Sequence, residues 1–135
     1  MNSKRLLKHL VTLMFFIFLA NTLALKLNLY SLVWYLDIIM HTLGGMWVGM
    51  FFLYVFNRRN PTSLNFKIVV QTLVTTLAIG LLWEIYEFYV YQYLSHITFD
   101  MQDTSSDIFF DLLGYSMACF YFSKFIMIDV RNRLQ

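Results

Sequence analysis

Apolar positions gather into four long blocks along this chain, Leu10 to Leu25, Leu29 to Phe56, Ile68 to Leu94 and Ile108 to Ile128, each broken by only a few polar residues. About 20 apolar residues span a bilayer as a helix, and these blocks are continuous rather than alternating in polarity, which points to helices and away from a barrel. The pattern predicts an all-α fold, a polytopic membrane bundle of four transmembrane helices over about residues 6–26, 30–56, 66–94 and 106–127, with residues 1–135 forming a single transmembrane domain. There is no internal repeat, low-complexity tract or domain-separating linker. The one proline, Pro61, falls in the polar connection Asn57 to Asn65, where a helix break costs least.

Charge changes this picture from four spans to an oriented bundle. Lys4, Arg5 and Lys8 precede the first block, Arg58, Arg59 and Lys67 lie between the second and third, and Lys124, Arg131 and Arg133 close the chain. With four spans these nine of the ten Lys and Arg residues share one side, which the positive-inside rule makes cytoplasmic, leaving Lys26 outside. Both termini are then cytoplasmic, and the expected location is a bacterial cytoplasmic (inner) membrane, crossed several times. Seven of the eight acidic residues, Asp37, Glu84, Glu87, Asp100, Asp103, Asp107 and Asp111, belong to the opposite half, and only Asp129 lies inside. The formal net charge of +2 hides two opposed faces, and the basic one is a topogenic signal rather than a nucleic-acid patch. The first block also has the make-up of a secretory signal, and its cleavage would leave three spans with the same acidic outer face.

Three short constellations carry the chemistry. Asp37 and His41 stand four residues apart on one helix face, with Gly44, Gly45 and Gly49 below them. Glu84 and Glu87 share a face of the third helix, with Gly80 a turn deeper. Asp103, Asp107 and Asp111 recur at intervals of four at the start of the last helix, and the residues between the last two are Ile, Phe and Phe, which is not the composition of a solvated face. An ionised Asp at the centre of a membrane helix costs roughly 3 kcal/mol on insertion scales, so Asp37, Glu84, Glu87, Asp107 and Asp111 left bare would cost on the order of 10 kcal/mol. Near that end the basic groups are Lys26, His41 and His96, so compensation has to come from cations, protons or a cationic substrate.

Carboxylates with one imidazole suit a divalent ion such as Mg, Mn or Zn, and the candidate ligands are Asp37, His41, Glu84, Glu87, Asp103, Asp107 and Asp111. Their number allows two ions, and ligands at such spacings on several helices are how helical bundles hold metals. The plain alternative is a hydrogen-bonded core of carboxylates sharing protons. The spacing of Gly45 and Gly49 is a helix-packing signal and marks them as contacts for a homodimer. The single Cys119 offers no disulfide or thiolate cluster, the outer aromatic rings read as headgroup anchors, and the methionines read as filling.

The run Asp37-x3-His41-x2-Gly44-Gly45, Trp83-Glu84-x2-Glu87 and Asp103-Thr104-x2-Asp107-x6-Gly114 resembles the signature of the YjdF-like and VanZ-like group of small bacterial membrane proteins, over Tyr35 to Ala118. The resemblance implies a compact bundle of four or five helices whose polar residues meet at one face, and a role at the cell envelope. It departs at Asp111, where many relatives carry Asn or an apolar residue.

Two classes of function follow. In one, the metal activates water or binds phosphate at the outer leaflet, as a hydrolase or transferase acting on a lipid-linked envelope precursor, with Glu84 or Glu87 as catalytic general base. That face has no Arg to clamp phosphate, and the chain has no nucleophile elbow, HExxH or Walker loop. In the other, the carboxylates bind or pass cations, protons or an amphiphile without bond chemistry, as an oligomer.

Overall fold

In lipid a backbone has no hydrogen-bonding partner but itself, and every long element of this chain accordingly closes its own bonds as a helix. A computed structural model describes residues 3–57, 64–90, 92 and 101–126. The elements are α1 (Ser3–Lys26), a single turn α2 (Leu29–Leu32), α3 (Leu36–Phe56), α4 (Phe66–Val90) and α5 (Met101–Tyr121), which runs on into a π-helical turn, Phe122–Ile126. There is no strand among the described residues. Three segments, Leu6–Lys26, Leu36–Phe56 and Phe66–Tyr89, are long and apolar enough to cross a membrane. α5 equals α3 in length at 21 residues but opens with Asp103, Asp107 and Asp111.

Two expected helix boundaries move. The second helix, expected over 30–56, is divided: Asn28 turns into the left-handed region at φ 53°, one turn of helix follows, Val33 leaves helical geometry, and α3 starts only at Leu36. Asn accepts that backbone more readily than most residues. The last helix, expected from 106, begins at Met101, so that Asp103 falls in its first turn, where a helix favours negative charge. The expected third helix runs past Val90 into residues that lie outside the described set.

Contacts between side chains give the directions. α3 and α5 run parallel, since His41 lies beside Asp107 and Asp111 while Gly49 lies beside Tyr115 and Ala118. α4 runs the other way, with Gly80 against Asp111 and the Tyr115 hydroxyl donating to the Val69 carbonyl at 2.7 Å. α1 is antiparallel to α3, and the Trp47 indole donates to the Leu10 carbonyl at 2.9 Å. The α3–α5 approach depends on glycine. A Cβ on Gly45 would run into the Asp111 backbone, and one on Gly114 into the Thr42 carbonyl and the Met46 amide. Gly49 is nearly as close, 3.0 Å from the Tyr115 ring. Gly45 and Gly49, whose spacing is a helix-packing signal, are buried against α5 within the chain.

The bundle has two unlike ends. Leu6, Leu10, Met50, Leu53, Ala118, Phe122 and Ile126 form an apolar core at one, built by α1, α3 and the α5 extension. α1 is therefore part of the core. Lys8, Lys67 and Lys124 lie towards this end, and the candidate chemistry occupies the other. Large apolar side chains such as Phe15, Phe18, Leu82 and Phe109 point away from the bundle, as expected of rings and chains that meet lipid.

Candidate metal centre

The periodicity of three helices delivers acidic residues to one level. Asp37 and His41 stack one turn apart at the start of α3, Glu84 and Glu87 lie at the end of α4, and Asp103, Asp107 and Asp111 follow one another up the first half of α5. Because α3 and α5 are parallel and α4 antiparallel, these stretches coincide at one end of the bundle.

His41, Glu84, Glu87 and Asp107 each offer a ligand atom, and these four atoms lie within 4.8 Å of one another. Asp37, Asp103 and Asp107 form a second group of the same compactness, so Asp107 belongs to both. The two differ in access. His41, Glu84 and Asp107 are buried and Glu87 is half-buried, whereas in the second group Asp37 is half-buried and Asp103 exposed.

The ring nitrogens of His41 face different partners. Nδ1 lies 3.4 Å from Asp111 Oδ1, and Nε2 lies 3.8 Å from both Asp37 and Asp107. Asp111 thus stands behind the imidazole, outside both ligand groups. A carboxylate on one ring nitrogen that leaves the other free is the arrangement that orients metal-binding histidines. Among the described residues every ion pair involves His41, whose one imidazole meets three carboxylates, those of Asp37, Asp107 and Asp111.

Glu84 is 7% exposed, and its Oε1 has no hydrogen-bond partner among the described residues. Leaving a buried acceptor unpaired costs about 1–3 kcal/mol, and more when it is charged. Thr104 of α5 reaches the same carboxylate.

Three contributors escaped the sequence reading. Gly80, noted for its position, makes the room for Asp111: a Cβ there would sit 2.6 Å from Asp111 Oδ2. Thr104 supports Glu84 and sits one residue after a candidate ligand, a proximity that sequence shows without assigning a role. Tyr30 lies in α2 beside the site, donates to Asn21 Oδ1 at 2.7 Å, and has its phenol held above the usual 10 by burial first, then by the Asp37 and Glu87 carboxylates. No residue spacing links Tyr30 to the cluster, because the turn at Asn28 brings it there. His96 and Asp100 lie outside the described residues.

Long apolar helices around an acidic cluster define a helical membrane protein. The chain belongs to the family described as "Predicted membrane protein (DUF2238)", whose family model matches residues 2–127. No curated protein and no solved structure matches it.

Proposed function

We propose that this membrane protein holds a divalent cation between His41, Glu84, Glu87 and Asp107, at the extracytoplasmic end of a four-helix bundle. The observation that carries this reading is the Glu84 carboxylate, buried, with one oxygen unpartnered, inside a set of four ligand atoms within 4.8 Å of one another. A cation satisfies that oxygen and offsets the repulsion of its neighbours. The partnering of His41 Nδ1 by Asp111 supports the same reading, because it directs Nε2 toward the ligand group. Mg, Mn and Zn all suit the donor set. Asp37 and Asp103, meeting at Asp107, supply a second and more open position for a second ion or for an oxyanion carried by the first.

The topology belongs to the same proposal. α5 lies alongside α3 from the cluster to the apolar core, so a bilayer that contains α3 also contains α5. Four spans put Lys8, Lys67 and Lys124 on one side, which is cytoplasmic by the positive-inside rule, and open the cluster to the outside of a bacterial cytoplasmic membrane. The likeness to YjdF-like and VanZ-like proteins fits this placement. There the cation would polarise a phosphoryl oxygen or lower the pKa of a bound water, with the half-buried Glu87 serving as general base in place of a fourth ligand, and the substrate class is a lipid-linked envelope precursor held among membrane lipids.

The test is metal content and affinity of the purified full chain in nanodiscs, by elemental analysis and calorimetry with Mn and Zn. One or two equivalents are expected, with losses of at least 100-fold in affinity for Glu84→Gln and Asp107→Asn, each of which removes a ligand. Wild-type protein that binds no divalent ion tighter than these variants do would end the proposal.

A further inference from the structure

The connection between α1 and α3 is apolar where a loop that leaves a membrane is ordinarily polar. Leu27, Leu32 and Trp34 all stand exposed there, at the cluster end of the bundle. Side chains of this kind at the edge of a bilayer settle among the lipid headgroups. The corner is nonetheless a built turn: the Ser31 amide donates to the Asn28 carbonyl at 3.3 Å, and the Leu36 amide donates to the Val33 carbonyl at 3.0 Å, which ties α2 to the start of α3.

One polar pair is set into this apolar corner. Tyr30, half-buried in α2, donates its hydroxyl to Oδ1 of Asn21, half-buried on α1, at 2.7 Å. The height of the pair follows from the pairing of the two long helices. The Trp47 indole holds the Leu10 carbonyl, α1 and α3 are antiparallel, and Asn21 is as far along α1 from Leu10 as Leu36 is along α3 from Trp47. Equal rise per residue brings Asn21 level with the first turn of α3, which carries Asp37. The action of the Asp37 and Glu87 carboxylates on the Tyr30 phenol agrees with that placement. Other donors at the cluster are committed to its own carboxylates, His41 Nδ1 to Asp111, Thr104 to Glu84 and Trp83 to Glu87. The Tyr30 hydroxyl is held only by a neutral amide.

We propose that Tyr30 is the hydrogen-bond donor to a phosphoryl oxygen of a lipid phosphate bound at the cation, and that the α2 corner is the wall along which the lipid chain lies. This role rests on the divalent-cation reading of the cluster and adds to it the headgroup and its route. A hard divalent ion held by carboxylates takes phosphate oxygens into its remaining positions. Phosphate placed there stands among carboxylates and gains from any donor that reaches its outer oxygens. The Tyr30 hydroxyl turns from Asn21 Oδ1 to such an oxygen, exchanging a neutral acceptor for an ionised one, and hydrogen bonds to ionised acceptors are the stronger. Leu27, Leu32 and Trp34 give the chain an apolar surface that free phosphate would leave unused.

The experiment is calorimetry of hexyl phosphate against the Mn-loaded full chain in phosphatidylcholine nanodiscs, with empty nanodiscs as blank and inorganic phosphate as the probe without a chain. The wild type should bind hexyl phosphate more tightly than inorganic phosphate. Tyr30→Phe keeps the ring and removes the hydroxyl, and should weaken hexyl phosphate by about tenfold or more, the effect of one lost hydrogen bond to a charged acceptor. Tyr35→Phe, on an exposed ring set edge-on to Trp34, should leave it unchanged. Equal affinity in wild type and Tyr30→Phe overturns the donor role, and inorganic phosphate bound as tightly as hexyl phosphate overturns the lipid route. Loss of Mn together with hexyl phosphate in Tyr30→Phe would make the hydroxyl a support of the cluster, and also overturns it. A wild type that binds no Mn ends the cation reading itself, so the two failures are told apart.

Discussion

His41 is the one residue of the cluster whose two polar atoms have separate partners, and its behaviour tests the arrangement most directly. With Asp111 on Nδ1, the imidazole keeps its orientation and its Nε2 lone pair is presented to the ligand group. Asp111→Asn retains a hydrogen-bonding side chain but removes the charge behind the ring, and Mn affinity measured by calorimetry should fall about 10–100-fold. His41→Ala should weaken it further, because a ligand is lost together with its support. The opposite order of effects would mean that Asp111 is itself a ligand. That distinction was not legible in the sequence: Asp107 and Asp111 have the same spacing, chemistry and helix, and only the fit of Asp111 into the gap over Gly80 and against Nδ1 assigns them different places.

Among the elements, α3 and α5 form the closest pair, and adjacent glycines on α3 make opposite demands. Gly45→Ala would drive a methyl into the Asp111 backbone and Gly114→Ala one into Thr42, so each must push the helices apart, with a cost of at least about 1–3 kcal/mol from overpacking. Gly44 has nothing within 4 Å of where a Cβ would sit, so Gly44→Ala should be neutral or stabilise α3 by up to about 1 kcal/mol. Thermal unfolding in one detergent reads all three variants, and equal destabilisation at 44 and 45 would contradict the packing. Sequence pattern foretold the helices well because lipid admits few other backbones. It placed the break around Asn28 but missed the one between α2 and α3, because Leu32, Val33 and Trp34 are as apolar as a span and hydropathy is blind to Val33 leaving helical geometry. It likewise marked Gly45 and Gly49 as packing residues without showing which helix would fill the groove.

For the whole molecule the separation of acidic and apolar ends fixes how the bundle should sit. A cysteine placed at Gln102 should react with a membrane-impermeant maleimide in intact cells, and one at Lys67 only after the cells are opened, both in a Cys119→Ala background. Labelling of position 67 alone in intact cells would invert the topology, and labelling of both would deny that α4 crosses. The acidic end was visible in the sequence because charge asymmetry and spacing need no tertiary information. The sharing of Asp107 between two ligand groups needed the relative height of three helices, which loops of unknown shape conceal. The glycine seam between α3 and α5 has a mechanical corollary. Two helices whose backbones touch cannot slide past each other by a residue, so when the surrounding hydrocarbon thickens or thins they lean together as one strut. Candidate donors on that strut, His41 and Asp107, keep their spacing as it leans, while Glu84 and Glu87 ride on a separate helix, α4.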